Sequence, residues 1–184
     1  MTTEGFASVL AGAREGSEWA WDVIVHEYAT DLGRLFRARG IPDPEALVGD
    51  VFLDLARGIG TFDGEEPQFR SWVFVIAYRR MADLWRRLQR RPAEELQGLT
   101  TETAASEPSA ESEALLGLDT EFVFELLNVL TPEQRDVVAL RVIADLSLVE
   151  TAEVMGKGVG AIKALQRRAI AALRREIEKQ GVSE

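Results

Sequence analysis

Four polar side chains on one predicted helix have the types and spacing to hydrogen-bond to base edges and phosphates in a DNA major groove: Lys163, Gln166, Arg167 and Arg168. They lie within LRVIADLSLVETAEVMGKGVGAIKALQRRAIAALRR, residues 140–175. A helix that reads DNA is held against a supporting helix, which requires a small residue at the crossing and a turn residue that tolerates positive φ. Ala152 and Gly156 meet these two requirements.

The second helix of this unit also needs apolar residues behind it, and four stand at the anchoring positions: Leu148, Met155, Ile162 and Leu165. An ordinary packed hairpin with a solvated basic face would share some of these features. The combination of anchors with a basic outer face favours a DNA-binding helix-turn-helix. Two positions depart from that pattern, because Lys157 stands where an apolar residue is usual and Gly158 where a Ser or Thr N-cap is usual.

A second basic segment, residues 70–91, holds seven arginines and one aspartate. Its apolar residues recur at helical spacing and predict one buried face: Val73, Ala77, Met81, Leu84 and Leu88. The arginines lie opposite or beside this stripe: Arg79, Arg80, Arg86, Arg87, Arg90 and Arg91. Trp72 shares a line with Arg79, and an aromatic ring beside arginines suits a nucleic-acid backbone with an unstacked base. The alternative is that Trp72 and Trp85 are core residues and the arginines only add solubility; for Trp85 the core is favoured.

The loop TFDGEEPQF, residues 61–69, leads into this arginine-rich helix. Loops held by rigid helices commonly carry recognition residues, and this one is predicted to be short and mobile. Its own acids argue against a phosphate-binding loop. A pocket for an extruded base is compatible with them.

Nearly every segment has helical periodicity, so the chain is predicted to be all-α. The predicted helices run near residues 4–13, 17–38, 44–58, 68–90, 119–130, 132–144, 147–155 and 159–178. Residues 92–118 are rich in Ser, Thr, Glu, Ala and Pro, which predicts a flexible acidic linker. The expected architecture is two small helical domains, residues 1–91 and 119–180, joined by that linker.

The composition disfavours an enzyme. The chain has 184 residues, no cysteine and a single histidine, His26, which excludes a disulfide framework and a thiolate metal site. Asp50 and Asp54, one turn apart, and the adjacent Glu65 and Glu66 could support acid–base catalysis. Without a histidine partner or a phosphate-binding glycine loop, these acids are better explained as a solvated helix face. Neither catalysis nor a cofactor is expected.

No apolar run approaches the roughly 20 residues needed to cross a bilayer, and the N-terminus lacks the pattern of a signal peptide. We therefore expect a soluble, cytoplasmic protein without membrane insertion. The net charge of −10, taken alone, argues against nucleic-acid binding. It conceals two basic segments, residues 70–91 and 163–175, separated by residues 92–120, which hold seven acids and no base.

Two segments, in this order along the chain, resemble the sigma-70 family of bacterial RNA polymerase sigma factors. The first is TFDG…FRSWVFVIA, from residue 61, and the second is LTPEQRDVV…LSLVETAEVMG…GAIKALQRRA, from residue 130. The arrangement is similar to the small two-domain members, the extracytoplasmic-function (ECF) group. The resemblance covers nearly the whole chain, and two matching domains in the right order are more specific than either alone.

The resemblance implies that the first domain is region 2 and the second is region 4. Region 2 would dock on the clamp helices of the core RNA polymerase β′ subunit through Leu47, Asp50, Val51 and Asp54. It would melt and read the minus-ten element of promoter DNA through Phe62, Asp63, Arg70, Trp72, Arg79, Arg80, Arg86 and Arg87. Region 4 would contact the β flap and bind the minus-35 element through Lys163, Gln166, Arg167 and Arg168.

Three positions depart from the family pattern. Gly49 and Ala46 replace a glutamine and an acid in the clamp-docking helix, and Arg79 replaces an asparagine near the melting site.

The resemblance further implies that the free chain is a monomer and that an anti-sigma factor controls it by covering both domains. The alternative is a stand-alone helix-turn-helix regulator, which would bind duplex DNA tightly without polymerase. A sigma factor binds duplex weakly until core polymerase is present, and the net charge of −10 favours that behaviour.

Overall fold

The computed structural model describes residues 3–90, 126–179 and 181, and all regular elements of these residues are helical. The first half contains α1 (Thr3–Arg14), α2 (Glu18–Ala38), α3 (Pro44–Gly58), a 3-10 turn (Ile59–Thr61) and α4 (Glu66–Arg90). The second half contains α5 (Pro132–Val142), α6 (Leu148–Met155) and α7 (Val159–Lys179). The predicted all-α fold is confirmed. Within the described parts of the chain, no helix combines the length and apolar character that a membrane span requires.

Side-chain caps fix where several of these helices begin. At α3 the Asp43 carboxylate accepts a hydrogen bond of 2.9 Å from a backbone N–H in the first turn. Thr131 and Gln134 form a reciprocal capping box at α5, in which each side chain accepts a hydrogen bond from the other residue's backbone N–H. Ser147 and Glu150 form the same box at α6. These polar residues start the helices where the sequence predicts.

The predicted boundaries differ from the observed ones by a few residues. Helix α4 begins at Glu66 rather than near residue 68, because the Gln68 side chain accepts a hydrogen bond of 3.1 Å from the backbone N–H of Glu65 and caps the helix earlier. Helix α5 ends at Val142 rather than near residue 144. The predicted linker at 92–118 lies outside the described residues, as does most of the predicted helix at 119–130.

The first four helices share one apolar core. Its largest fully buried side chains are Ile24, Tyr28, Leu32, Leu35, Phe36, Leu55, Phe69 and Phe74. The predicted apolar stripe of α4 lies in this core, since Val73, Ala77 and Met81 are at most 2% exposed. Helix α4 packs beside α3, while α1 packs on α2 and touches the 3-10 turn. This packing fixes the outer face of α4 and the loop before it.

Helices α5, α6 and α7 form a second unit around Val137, Leu140 and Ile162, which are fully buried. This unit rests directly on the first, because α6 packs on α4 and α5 contacts α2. The two predicted domains are therefore in contact, with side chains of both in one continuous core.

Candidate nucleic-acid interface

The hairpin of α6 and α7 has the geometry that its sequence predicts. Gly156 follows α6 with φ 62° and ψ 35°, the left-handed conformation that this turn requires. Ala152, the predicted small residue, is 5% exposed. Met155 and Leu165 are buried beneath the hairpin, and Leu148 is half-buried against the same core. The helix-turn-helix arrangement is confirmed.

Both departures from the usual turn sequence are accommodated locally. Lys157, in place of an apolar residue, is half-buried and its Nζ lies 2.8 Å from Glu133 Oε1 on α5. Gly158 offers no side-chain cap, but its carbonyl accepts hydrogen bonds from the N–H groups of Ala161 (2.9 Å) and Ile162 (3.2 Å). The turn is thus tied to α5 by an ion pair instead of an apolar contact.

The outer face of α7 carries exposed basic and polar side chains. Lys163 and Arg167 are exposed and have no ion-pair partner among the described residues, and Gln166 is half-exposed. Arg168 is exposed and its Nε donates to the carbonyl of Ala164 at 3.3 Å. The same exposed face continues along the helix past the predicted residues to Ile170, Ala171, Arg174 and Arg175. Cations without acidic neighbours are the chemistry that binds phosphates.

The arginines of α4 divide into free and engaged side chains. Arg79 and Arg87 are exposed and have no hydrogen-bond or ion-pair partner within the described residues. Arg86 is also exposed, but it pairs with Asp83 one turn earlier. Exposed pairs of this kind hold by less than about 1 kcal/mol, so DNA phosphates could replace Asp83.

Arg80 joins α4 to α3 instead of facing outward. Its Nε lies 2.5 Å from Asp54 Oδ2, and its guanidinium also contacts the other carboxylate oxygen, which makes a bidentate pair. The hydrogen bonds that Arg80 donates lower the pKa of Asp54 below its usual range. Two residues predicted for different sites, promoter DNA and polymerase, therefore neutralise each other in this structure.

The loop before α4, predicted to be mobile, is packed against the helix. Phe62 stacks on Trp72 with ring centroids 5.1 Å apart, and it meets Phe69 edge-on at 5.2 Å. The benzo-ring edge of the indole lies so close to Gly58 that a Cβ there would come within 2.8 Å of it. Asp63 is exposed on the same loop. A base that stacks on Trp72 must therefore displace Phe62.

Helix α1 braces this loop, which the sequence analysis did not anticipate. Arg14 donates hydrogen bonds to the backbone carbonyls of Ile59, at 3.5 Å, and of Phe62. Phe6 packs on Phe69 with ring centroids 5.5 Å apart. The sequence offers no signal for this role, because a basic residue at the end of an amphipathic helix is common. The brace emerges only when α1 is placed across the 3-10 turn.

Arg70 lies on the inner side of α4 and is fully engaged. Its guanidinium is 3.4 Å from Glu27 and 3.6 Å from Glu66, and it sits over the ring of Tyr28 at 5.5 Å. It also donates a hydrogen bond of 3.4 Å to the carbonyl of Ala144 in the second unit. In this arrangement the side chain of Arg70, a predicted minus-ten contact, is unavailable to DNA.

The predicted polymerase contacts on α3 fall on two faces. Leu47 is 7% exposed and Val51 is fully buried, because both point into the core, so neither side chain is available to a partner. Asp50 and Asp54 are half-exposed. Leu53, which is not among the predicted contacts, is 56% exposed beside them, with Ala46 and Gly49 on the same open side. Leu53 stands three residues after Asp50, and helical spacing places both on this side.

Both halves of the chain match known protein families. Residues 25–91 match Sigma-70 region 2, and residues 126–175 match Sigma-70, region 4. The first match contains α3, the loop and α4, and the second contains the whole helix-turn-helix hairpin. Helix α1, which braces the loop, lies outside the matched residues.

Two relatives cover most of the chain. It is 33% identical over 165 residues to the ECF RNA polymerase sigma factor BldN of Streptomyces coelicolor, which covers 89% of this chain but only 62% of BldN. It is 31% identical over 182 residues to the RNA polymerase sigma factor CnrH of Cupriavidus metallidurans, covering 94% of this chain and 95% of CnrH. The structure of CnrH in complex with the cytosolic domain of CnrY matches with a TM-score of 0.66 and 26% identity, over 95% of this chain and 97% of that one. Since both sigma-70 domains are present in order, with the exposed basic hairpin in the second, the chain belongs to the ECF group of sigma-70 family RNA polymerase sigma factors.

Proposed function

We propose that this sigma factor grips promoter DNA at two points, with α7 in the minus-35 major groove and α4 with its preceding loop on the minus-ten element. The observation that carries the proposal is the exposed, unpaired basic face of α7, above all Lys163 and Arg167, on a correctly formed helix-turn-helix. Because no acid within the described residues neutralises these two cations, DNA phosphates meet no competing ion pair from that part of the chain. Gln166 and Arg168 complete the base-reading set.

On the minus-ten side, Arg79 and Arg87, which are exposed and unpaired among the described residues, are assigned to phosphates, and Trp72 to stacking on an extruded base. Extrusion costs a few kcal/mol, and stacking on an aromatic ring returns about 1–3 kcal/mol per base. Phe62 covers the Trp72 ring in the free chain, so it must move when the base enters. Asp63 remains a candidate base contact at the exposed loop, whereas Arg80 acts as a structural link to α3.

Docking on the β′ clamp helices of core polymerase is assigned to the open face of α3, formed by Ala46, Gly49, Asp50 and Leu53, and region 4 is assigned to the β flap. A Cβ added at Gly49 would meet no atom within 4 Å. The family's glutamine would therefore fit at this position, so the glycine leaves a gap in the docking face and not in the core.

We further propose a non-catalytic, cytoplasmic initiation factor that is monomeric when free and is held inactive by an anti-sigma factor. The partner proposal is supported by CnrH, a relative solved in complex with the cytosolic domain of CnrY.

The proposed domain boundaries are residues 1–91 for region 2, residues 92–118 for the linker and residues 119–180 for region 4. Both matched segments, 25–91 and 126–175, lie inside these bounds.

The minus-35 assignment is tested by replacing Arg167. With core polymerase present, Arg167→Ala should weaken binding to a minus-35 duplex by about tenfold, because one charge-assisted base or phosphate contact is lost. The matched control is Lys179→Ala, in the last turn of the same helix, where the ammonium already pairs with Glu176 at 3.3 Å. Equal losses in both variants would contradict the assignment. Tight duplex binding by the free chain would instead indicate a stand-alone regulator.

The polymerase-docking assignment is tested at Leu53. Leu53→Asp places a charge on the exposed α3 face and should weaken association with core polymerase by about tenfold, since burying an unpaired charge is costly. Val25→Asp is the matched control, because Val25 is 39% exposed on α2, outside the proposed docking face. Affinity that is unchanged by Leu53→Asp, measured in a core-binding titration, would exclude this face as the docking surface.

A further inference from the structure

Helix α1, which lies outside both matched family segments, is docked by its apolar face beside the loop that leads into α4. Phe6 packs on the fully buried Phe69, at the start of α4, with ring centroids 5.5 Å apart. The docked face recurs at helical spacing, and its side chains are at most 7% exposed: Phe6, Val9, Leu10 and Ala13. This docking places the last turn of α1, and with it Arg14, against the 3-10 turn.

The Arg14 guanidinium is bonded to the backbone of the loop. Its Nε donates to the carbonyl of Ile59 at 3.5 Å, and its Nη2 donates to the carbonyl of Phe62. These two carbonyls flank the 3-10 turn, in which the Phe62 N–H also donates to the Ile59 carbonyl at 3.3 Å. The planar fork of an arginine can hold two acceptors in a fixed arrangement. One side chain from α1 therefore ties both ends of the turn.

The other end of the loop is also fixed. The backbone N–H of Glu65 donates to Gln68 Oε1 at 3.1 Å. Gly64 lies so close to the Phe62 ring that a Cβ there would come within 3.0 Å of Phe62 Cζ. Between these anchors Asp63 is exposed, and Phe62 is half-exposed. The backbone is thus held on both sides of Phe62, while the ring itself has an open side.

This arrangement decides how the Trp72 ring can be uncovered. Phe62 stacks on Trp72, so it must leave before a base can stack there. If the whole loop lifted, its backbone would have to be ordered again around the base, which costs conformational entropy. With its carbonyl held by Arg14, Phe62 can leave by rotation about its own side-chain bonds. A loop that is ordered before binding loses less entropy when the ligand arrives.

We propose that Arg14 is a positioning residue for minus-ten recognition, which holds the carbonyls of Ile59 and Phe62 so that the loop stays in place while the Phe62 ring gives way to an extruded base. This inference rests on the proposed minus-ten function and adds α1 to that site. Because Arg14 is exposed, a direct contact of its charge with a phosphate is the rival role that the experiment must separate.

The experiment compares intact DNA with DNA that lacks the extruded base. The probe is fork-junction DNA that contains the minus-ten motif selected by the unsubstituted holoenzyme from a promoter library, together with copies that each lack one base of the motif. The base whose removal weakens binding most is taken as the extruded one. Binding of each variant holoenzyme to the intact and the abasic fork is then measured at several salt concentrations, and urea unfolding verifies that each variant is folded.

Arg14→Ala should weaken binding to the intact fork by about fivefold and to the abasic fork by less than about twofold, because only base entry requires the ordered loop. The dependence of both affinities on salt should not change, since no phosphate contact is lost. General damage to region 2 would instead weaken binding to both DNAs alike. The matched control is Arg37→Ala, in the last turn of α2, where the guanidinium pairs with Glu45 at 2.7 Å. It should change neither affinity by more than about twofold.

Arg14→Lys keeps the charge but loses the planar fork, so its affinity for the intact fork should stay about threefold below that of the unsubstituted holoenzyme. Full recovery with lysine, a weaker salt dependence in Arg14→Ala, equal losses on both DNAs or no loss at all would each overturn the role of Arg14. If removal of every minus-ten base left binding of the unsubstituted holoenzyme unchanged, the proposed minus-ten function itself would fail, so the two failures are distinguishable.

Discussion

Arg79 and Arg80 are neighbours in sequence, yet the structure gives them different tasks. Arg79 is exposed without a partner among the described residues, whereas Arg80 is bound bidentately by Asp54. Arg79→Ala should weaken binding of the holoenzyme to fork-junction DNA that contains the minus-ten element by about fivefold. It should also reduce the slope of the logarithm of the binding constant against the logarithm of the salt concentration by about one. Arg80→Ala should instead lower the free energy of unfolding by about 1 kcal/mol.

Fork-binding titrations at several salt concentrations and urea unfolding of both variants separate these roles. Each variant is the control for the other, since both remove one arginine from the same turn of α4. A DNA-binding loss for Arg80→Ala as large as for Arg79→Ala would contradict the division.

Asp136 should make stability depend on pH. Desolvation by burial raises its pKa to about 6, against opposing effects of Arg39 just after α2, Tyr78 on α4 and Arg135 on its own helix, while Glu133 raises it further. A raised pKa means that the folded chain binds this proton more tightly than the unfolded chain. The stabilisation is therefore complete below about pH 4 and is lost as the pH rises through 6.

Urea unfolding between pH 4.5 and 7.5 measures this dependence. Asp136→Asn should flatten the decline of the free energy of unfolding across pH 5–7, whereas Asp22→Asn, at an exposed position on α2, should leave it in place. An unchanged slope in Asp136→Asn would show that the carboxylate does not titrate in this range.

At the residue scale, the sequence could predict which side chains of α7 face outward, because helical spacing alone fixes the positions of Lys163 and Arg167 opposite Ile162 and Leu165. It could not predict that Asp54 and Arg80 neutralise each other, since they lie 26 residues apart and meet only when α3 packs on α4. Nor could it assign Val51 to the core, because both faces of α3 carry apolar residues.

At the scale of elements, the turn between α6 and α7 depends on one backbone conformation. Gly156 has φ 62°, where a side chain costs about 1 kcal/mol or more, whereas Gly158 lies outside the left-handed region and has open space around it. Gly156→Ala should lower the free energy of unfolding by about 1 kcal/mol. Gly158→Ala should change it by less than about 0.5 kcal/mol. Urea unfolding checks both, and equal effects would contradict the argument.

Helix positions were predictable because caps and apolar spacing are local signals. Thr131 with Gln134 marks the start of α5, and Ser147 and Gly156 mark the start and the end of α6. The state of the loop before α4 was not predictable, because Phe62 is held by Trp72 within α4 and by Arg14 from α1. Contacts between segments that are distant in sequence determine how this loop is held, and local sequence patterns do not reveal them.

At the scale of the whole molecule, a net charge of −10 coexists with two basic surfaces. The acids repel duplex DNA at long range, and α7 alone supplies few phosphate contacts, so the free chain should bind promoters weakly. Core polymerase would offset this barrier by presenting both basic surfaces to promoter DNA together.

The central claim is two-point promoter recognition in partnership with polymerase, and transcription from a library of promoter fragments tests it most directly. Core polymerase with the purified chain should give new transcripts from fragments that share two spaced motifs, and Arg167→Ala should reduce them while Lys179→Ala does not. Core polymerase alone should give none of them. No chain-dependent transcripts, together with no association between the chain and core polymerase, would contradict the account.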